Sequence, residues 1–136
     1  MISKKCLYAL KAVLALARHQ GAGPMTIQQI ADAQEIPARF LEAILRDLKQ
    51  NGFTESIRGK EGGYILARPA REIRMGDIIT CLEGPWYTPG PDTDVFSTIW
   101  EEADRVLTGV VNQIDFQSLL KREDELRFSH TPDYSI

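Results

Sequence analysis

The order of the elements between residues 27 and 66 constrains the fold of this chain more than any other feature. A short amphipathic helix is predicted directly after Thr26, because Thr26 and Gln29 have the spacing of a capping box. Residues 34–36 predict a turn, and Pro37 suits the first position of a second amphipathic helix. Two helices joined by so short a turn are typical of a helix-turn-helix.

A glycine-rich hairpin follows the second helix. Two short β-prone runs, at 53–57 and 64–67, flank a loop that contains three glycines together with Arg58 and Lys60. Glycines let backbone amides approach a phosphate closely, and the two cations add positive charge beside them. A nucleotide-binding phosphate loop is a poor alternative, because this loop does not follow a strand and open a helix. The sequence therefore predicts a winged helix-turn-helix, a mainly α fold with a small β-hairpin wing.

The second helix is predicted to bury one stripe and to expose polar side chains on its other face, with Arg39 and Glu42 near its start. The predicted stripe consists of Phe40, Leu41, Ile44, Leu45 and Leu48, and Gly52 is expected to end the helix in the left-handed conformation. In helix-turn-helix proteins the first residues of this helix reach base edges in the major groove of DNA. Arginine pairs with guanine, and glutamate accepts a hydrogen bond from the cytosine amino group, so the two residues are predicted to read neighbouring bases. The alternative for Arg39 and Glu42 is a weak ion pair on the helix surface.

The charge of the chain is divided between its two halves. Residues 1–74 contain 12 Lys and Arg against 7 Asp and Glu, a net charge of +5, whereas residues 75–136 contain 4 against 12, a net charge of -8. Attraction to phosphate depends on the local face, so the overall charge of -3 does not exclude nucleic acid. Double-stranded DNA is the predicted partner of the basic half.

Length and motif content narrow the class of protein. A chain of 136 residues fits one compact domain with an appendage. No apolar run approaches the roughly 20 residues that span a bilayer, and the start of the chain does not resemble a signal peptide, so a cytoplasmic protein without membrane contact is expected. No Cys–His, Ser–His or paired-carboxylate motif has a recognisable spacing, so an enzyme is not expected.

The acidic half contains a long amphipathic segment. The predicted organisation is a DNA-binding domain at 1–84, a loop at 85–94, a dimerisation helix region at 95–120 and a polar tail at 121–136 with little order. Within the third region a long helix precedes a short one at 115–120. The apolar stripe of the long helix is too wide for the small core beside it, so a second copy of the chain is its predicted partner, with packing onto the first helix as the alternative. The predicted dimer contacts are Val95, Ile99, Trp100, Ala103, Val106, Leu107, Val110 and Ile114.

Several motifs in the first 85 residues resemble the Rrf-two family of bacterial transcription regulators, the group that includes IscR, NsrR and CymR. These motifs are Ile36-Pro37 with Phe40-Leu41-Glu42 in the second helix, Arg58-Gly59 with Gly62-Gly63-Tyr64 in the wing, and Glu83-Gly84. The resemblance implies a homodimeric repressor or activator whose second helix contacts bases, whose wing tip enters the minor groove, and which meets phosphates near Tyr8 and Thr26. The predicted DNA-contacting residues are Tyr8, Thr26, Gln28, Pro37, Arg39, Glu42, Arg58, Gly59, Lys60, Gly62 and Gly63.

The chain departs from that family in the loop at 85–94. The resemblance implies an iron–sulfur cluster held there by three cysteines in many members, but this loop contains no cysteine. Cys6 and Cys81 are the only cysteines and lie in apolar helical patterns, and His19 and His130 form no recognisable metal motif. No cofactor and no metal site are therefore expected.

Trp86 and Tyr87 are the residues of the 85–94 loop with the most distinctive chemistry. They are expected either to stack on a small planar effector or to fasten the loop over the following helix. The leading interpretation of the chain is a transcription regulator, a repressor, that binds a pseudo-palindromic operator as a homodimer. The alternatives are an iron–sulfur or small-molecule sensor with atypical ligands, a regulator gated by a partner protein, and a protein-interaction winged helix that has lost DNA affinity.

Overall fold

The computed structural model describes residues 2–130, and the side chains of residues 2–128. This part of the chain forms six α-helices, one β-hairpin and a short 3-10 turn at Ala70–Glu72. The elements in chain order are α1 (Lys4–Arg18), α2 (Ile27–Gln34), α3 (Ala38–Gln50), β1 (Thr54–Ile57), β2 (Gly63–Leu66), α4 (Met75–Glu83), α5 (Val95–Val111) and α6 (Phe116–His130). The order predicted between residues 27 and 66, helix, turn, helix and hairpin, is confirmed.

Helix α1 lies at the centre of the core. The Ser3 hydroxyl caps its first turn by accepting a hydrogen bond from the backbone N–H of Cys6 at 3.1 Å. Its buried face, which includes Ala9, Ala12 and Val13, packs against α2, α3, α4 and α6. The small alanine side chains let these four helices approach the α1 backbone closely, so the other elements are positioned around α1.

The predicted capping box at the start of α2 is confirmed. The hydroxyl of Thr26 accepts from the backbone N–H of Gln29 at 3.1 Å, and the side-chain oxygen of Gln29 accepts from the backbone N–H of Thr26 at 2.8 Å. Glu35 closes the turn in the left-handed conformation, with φ 55°. Pro37 is the N-cap of α3 and not its first helical residue, because its ψ of 126° is extended although its carbonyl already accepts from the N–H of Phe40.

Helix α3 buries one stripe and exposes the residues beside it. Leu41, Ile44, Leu45 and Leu48 are buried, as expected, but Phe40 was also predicted on this stripe and is 42 % exposed. Phe40 precedes Leu41 by one residue, and this places it roughly 100° away from Leu41 around the helix axis. It therefore lies at the margin of the stripe, where a neighbouring element decides its exposure.

The hairpin is fastened to the loop that precedes α2. Its strands are antiparallel, with Thr54 opposite Leu66 and Ile57 opposite Gly63. Tyr64 also pairs with Met25, which donates to the Tyr64 carbonyl at 2.9 Å and accepts from the Tyr64 N–H at 2.7 Å. The wing is thus hydrogen-bonded to the helix-turn-helix through its second strand.

Helix α6 differs from the sequence expectation. A short helix at 115–120 and a poorly ordered polar tail at 121–136 were expected, but the helix continues to His130. Phe116 is fully buried at its start, and further along Glu123 and Asp124 accept hydrogen bonds from the Arg18 guanidinium at 2.6 and 2.9 Å. These contacts with α1 stabilise a segment whose composition is polar. Residues 131–136 of the expected tail lie outside the described residues.

Helix α5, in contrast to the polar α6, is rich in apolar side chains but leaves most of them exposed. Of its 17 residues, the structure buries Ser97, while several large apolar side chains face outward. Within residues 2–130, no helix combines the length and apolarity that crossing a membrane requires. Because α5 buries Ser97 and leaves large apolar side chains such as Val95 and Val106 exposed, much of its outer surface is apolar.

Candidate nucleic-acid interface

Three side chains are layered at the start of α3. The guanidinium carbon of Arg39 lies 4.8 Å from the centre of the Phe40 ring, and this ring stacks on Tyr8 of α1 with 5.8 Å between ring centres and 27° between planes. A cation over an aromatic face is held by the ring quadrupole, which reduces the conformational freedom of the arginine. The stack joins two predicted DNA contacts, Tyr8 and Arg39, through Phe40, whose role the sequence did not reveal.

A cleft with basic residues surrounds this stack. It has a volume of about 310 Å³, and Lys4 and Lys5 contribute to its wall together with the three stacked side chains. The Lys5 ammonium also pairs with the Asp47 carboxylate at 2.7 Å, so Lys5 links α1 to α3. Lys4 and Lys5 were not predicted as site residues. The available signal was the spacing of Lys4 and Tyr8, four residues apart and hence on one face of α1.

Glu42 and Arg39 do not pair with each other. The Glu42 carboxylate lies 3.8 Å from the guanidinium of Arg46, one helical turn later, and both side chains are well exposed. Exposed ion pairs of this length contribute little to stability, because water screens them. Glu42 therefore pairs with Arg46 and not with Arg39, which was the alternative considered for these two residues. The Glu42 carboxylate stays accessible to a base.

The side chains of Thr26 and Gln28, which were predicted to contact DNA, form hydrogen bonds with residues of α2 itself. The Gln28 amide donates to the Asp32 carboxylate at 2.8 Å. The Thr26 oxygen accepts the capping hydrogen bond described above, and its hydroxyl proton can still be donated to a phosphate oxygen. Both residues are exposed, so a phosphate can reach them.

The tip of the wing presents Arg58, Gly59 and Lys60 to solvent. Gly59 has a positive φ of 119°, and its carbonyl accepts from the N–H of Gly62 at 3.1 Å. A β-carbon on Gly62 would collide with the carbonyl oxygen of Ile57, so the turn requires glycine at this position. The turn holds two cations and an unobstructed stretch of backbone at the end of the hairpin.

The base of the wing is held from two sides. Gly63 has φ 155°, and a β-carbon there would collide with the backbone of Met25. On the other strand, the Ser56 hydroxyl accepts from the Lys49 ammonium of α3 at 2.7 Å. Gly62 and Gly63 were predicted as DNA contacts, and the structure gives each of them a backbone role in shaping or docking the wing.

The two cysteines belong to α1 and α4 and not to the loop at 85–94. Cys6 is fully buried in α1, and burial, reinforced by the nearby Glu83 and Cys81, raises the pKa of its thiol to about 11. Burial also raises the pKa of Cys81 in α4. Among the side chains of residues 2–128, no group of three His, Cys, Asp or Glu is arranged to hold a metal ion. The donor groups present do not fit a cluster held by three cysteines, and the His130 side chain lies outside the described residues.

The predicted dimer residues of α5 divide into two groups. Val95, Ile99, Val106 and Val110 are each more than half exposed. Trp100, Ala103 and Leu107 instead line a cavity that also borders Trp86 and Tyr87 of the preceding loop. The eighth residue, Ile114, is half-buried beyond the end of α5.

The chain has extensive similarity to known transcription regulators. Residues 2–122 match the Rrf2 family, which is the Rrf-two family of the sequence analysis and is described as an iron-dependent transcriptional regulator. The chain is 31 % identical over 134 residues to the HTH-type transcriptional regulator IscR of Serratia proteamaculans, covering 92 % of this chain and 82 % of that protein.

Solved structures agree with this assignment. IscR of T. potens superimposes with a TM-score of 0.84 at 34 % identity, covering 98 % of this chain and 93 % of the other. CymR of B. subtilis, named as a global cysteine regulator, superimposes with a TM-score of 0.82 at 29 % identity, covering 90 % of this chain and 97 % of the other. These relatives are regulators and not enzymes, as predicted, and regulators of this type bind double-stranded DNA as dimers. The chain therefore belongs to the Rrf2 family of winged-helix transcription regulators.

Proposed function

We propose that this regulator is a repressor that binds a pseudo-palindromic operator as a homodimer formed through α5. In each copy α3 enters the major groove and the wing tip enters the adjacent minor groove. The observation that supports this most directly is the Tyr8–Phe40–Arg39 stack, because it holds a guanidinium at the start of α3, where helix-turn-helix proteins contact bases.

The exposed stripe of α5 supports the homodimer. Four aliphatic side chains that are more than half exposed on one helix form an apolar surface that a soluble monomer rarely leaves uncovered. A two-fold axis that passes through this surface pairs the stripe with itself. Two recognition helices related by such an axis read half-sites about 34 Å apart, one turn of DNA.

The wing and the basic cleft support contact with the DNA backbone. Arg58 and Lys60 at the wing tip and Lys4 beside the stack are exposed cations on elements that flank α3. Cations placed in this way neutralise phosphates without reading sequence. We assign Tyr8, Thr26 and Gln28 to the same backbone contacts, and Pro37 to the close approach of the α3 start to the bases.

The proposed regulator acts without a cluster at the usual cysteine site. The support is chemical, because the loop at 85–94 has no thiolate to offer and the thiols of Cys6 and Cys81 are stabilised in their protonated form by burial. Its regulating signal then comes from a small molecule or a partner protein. A cytoplasmic location, where the operator DNA lies, is part of this proposal.

Operator binding by single variants tests the proposal. Arg39→Ala is expected to cost about 1 to 3 kcal/mol of binding free energy and to relax sequence preference at one position of each half-site. Lys60→Ala is expected to weaken binding to all sequences and to lower the slope of log K against log salt by about one per copy. Both are measured by fluorescence anisotropy on the chain's own promoter DNA over a series of salt concentrations.

The matched control is Arg122→Ala, which removes an exposed arginine from α6, outside the helix-turn-helix and the wing. It is expected to bind the operator like the unmodified chain. If Arg39→Ala and Lys60→Ala also bind as the unmodified chain does, the winged helix does not contact DNA in the proposed manner. The alternative of a protein-interaction winged helix then becomes the better account.

A further inference from the structure

A cavity of about 420 Å³ lies between the loop at 85–94 and α5. Trp86 and Tyr87, half-buried in the loop, line it together with Trp100, which is about half exposed on α5. Its wall includes Ile2, Trp86, Tyr87, Trp100, Asp104 and Leu107. Three aromatic residues and one carboxylate thus border a space large enough for a small organic molecule.

The residues that line the cavity favour a positively charged ligand. Aromatic faces attract positive charge, and proteins recognise quaternary ammonium ligands by surrounding them with several aromatic rings. Asp104 supplies a formal negative charge at the same cavity. Residues 85–111 contain five Asp and Glu against one Arg, a net charge of -4, so the surroundings repel an anion.

We propose that this cavity is a binding site for a small organic cation that carries an apolar or aromatic group. The rings of Trp86, Tyr87 and Trp100 contact the cationic centre, Asp104 balances its charge, and Leu107 and Ile2 cover its apolar part. The binding itself stands independently of the proposed function. The consequence that the cation changes operator affinity rests on the proposed function.

The cavity and the proposed dimer contact use different stripes of α5. With 3.6 residues per turn, Trp100, Asp104 and Leu107 cluster on one side of the helix, and the stripe of Val95, Ile99, Val106 and Val110 is centred about 100° away. Ser97, the buried residue of α5, lies just beyond Asp104, on the side away from that exposed stripe, and faces the body of the protein. The cavity therefore lies between the protein body and the proposed dimer contact, where an occupant touches the loop and α5 together.

Tryptophan fluorescence measures the site directly, because the chain contains two tryptophans and both border the cavity. The full-length dimer is titrated with benzyltrimethylammonium, and benzylsulfonate, an anion of related shape, is the matched ligand control. The expected result is saturable quenching by the cation and none by the sulfonate. Equal quenching by both, or no change up to millimolar cation, overturns the proposal.

Substitutions of Asp104 and Tyr87 test separately how the negative charge and the aromatic rings contribute to cation binding. Asp104→Asn is expected to weaken cation binding about tenfold, and Tyr87→Leu, which keeps both reporting tryptophans, about fivefold. Glu101→Gln removes an exposed acid of α5 that does not line the cavity and is expected to leave binding unchanged. Thermal unfolding checks that each variant is folded. If both Asp104→Asn and Tyr87→Leu fold and bind as tightly as the unmodified chain, the assignment is wrong.

Two further measurements show whether a negative result contradicts the cation site or the proposed function. If the emission changes on dilution and the cation has no effect, a second copy covers the cavity and the proposal is contradicted. Operator binding is recorded on the same samples. A chain that binds DNA but not the cation contradicts this inference alone, and a chain that binds the cation but not DNA contradicts the proposed function alone.

Discussion

At the scale of single residues, Cys6 shows how burial controls chemistry in this chain. It lies in α1 against α4, fully buried, and its pKa is raised to about 11 from an ordinary value of 9.0. A thiol with a raised pKa is favoured in its protonated form in the folded state. The contribution of the protonated Cys6 thiol to the stability of the folded state is therefore complete below pH 9.0 and is lost as the pH rises through about 11.

Cys6 is expected to resist alkylation in the folded protein. At pH 8 its thiolate fraction is roughly a thousandth, and burial blocks the reagent as well. The Cys81→Ala chain, in which Cys6 is the remaining thiol, should therefore react with iodoacetamide far more slowly than a free thiol, as measured by mass spectrometry. The Cys6→Ala chain, which retains the half-buried Cys81, serves as the comparison and should react faster. Rapid labelling of Cys6 without denaturant would contradict the described packing.

The sequence predicted single residues correctly where their conformation depends on residues close by in the chain. Thr26 and Gln29 satisfy each other within one helical turn, and Gly52 adopts the expected positive φ of 80°. Phe40 was misplaced because its exposure depends on Tyr8, which lies 32 residues earlier in the chain. Asp104 was not predicted as a site residue, since only the position of the 85–94 loop brings it to the cavity.

At the scale of elements, α6 is the clearest departure from expectation. Its second half, Lys121 to His130, is rich in charge, and the sequence suggested a tail with little order. The structure stabilises it through Arg18 of α1, which contacts acids 105 and 106 residues later. A contact over such a separation has no periodic signal in the sequence, whereas the amphipathic patterns of α1, α2 and α3 do.

Arg18→Ala is expected to loosen the second half of α6. Exposed ion pairs contribute about 0 to 1 kcal/mol each, so the loss should appear as faster amide exchange at 121–128 with little change in the global unfolding temperature. Hydrogen exchange with mass spectrometry measures this, and Arg71→Ala, an exposed arginine of the 3-10 turn, is the control. Unchanged exchange in Arg18→Ala would show that the buried start of α6 is sufficient to hold the helix.

At the scale of the whole molecule, the exposed stripe of α5 is the surface through which we propose that two copies associate. The single chain leaves Val106 61 % exposed and Ile99 51 % exposed on a helix whose opposite side faces the protein body. A charge placed within such a stripe, once it is buried between two copies, has no partner and opposes association. The effect of the charge depends on the face of the helix and not on the helix as such.

Val106→Glu is expected to convert the dimer into a monomer and to lower operator affinity at least tenfold, because each copy then binds its half-site alone. Sedimentation velocity measures the first effect and anisotropy the second. Arg105→Glu introduces the same side chain one residue away, roughly 100° around the helix, and should remain dimeric. A dimeric Val106→Glu chain would place the two-fold contact elsewhere on the molecule.

The docking of the wing has a consequence for how such a protein diversifies. The wing is held by backbone hydrogen bonds between Met25 and Tyr64 and by the Lys49–Ser56 pair at the far end of α3 from Arg39. None of these contacts involves the side chains at the start of α3. If α3 and the wing contact DNA as we propose, substitutions at Arg39 and Glu42 change the preferred bases over evolutionary time, while the same docked wing continues to supply affinity for any duplex.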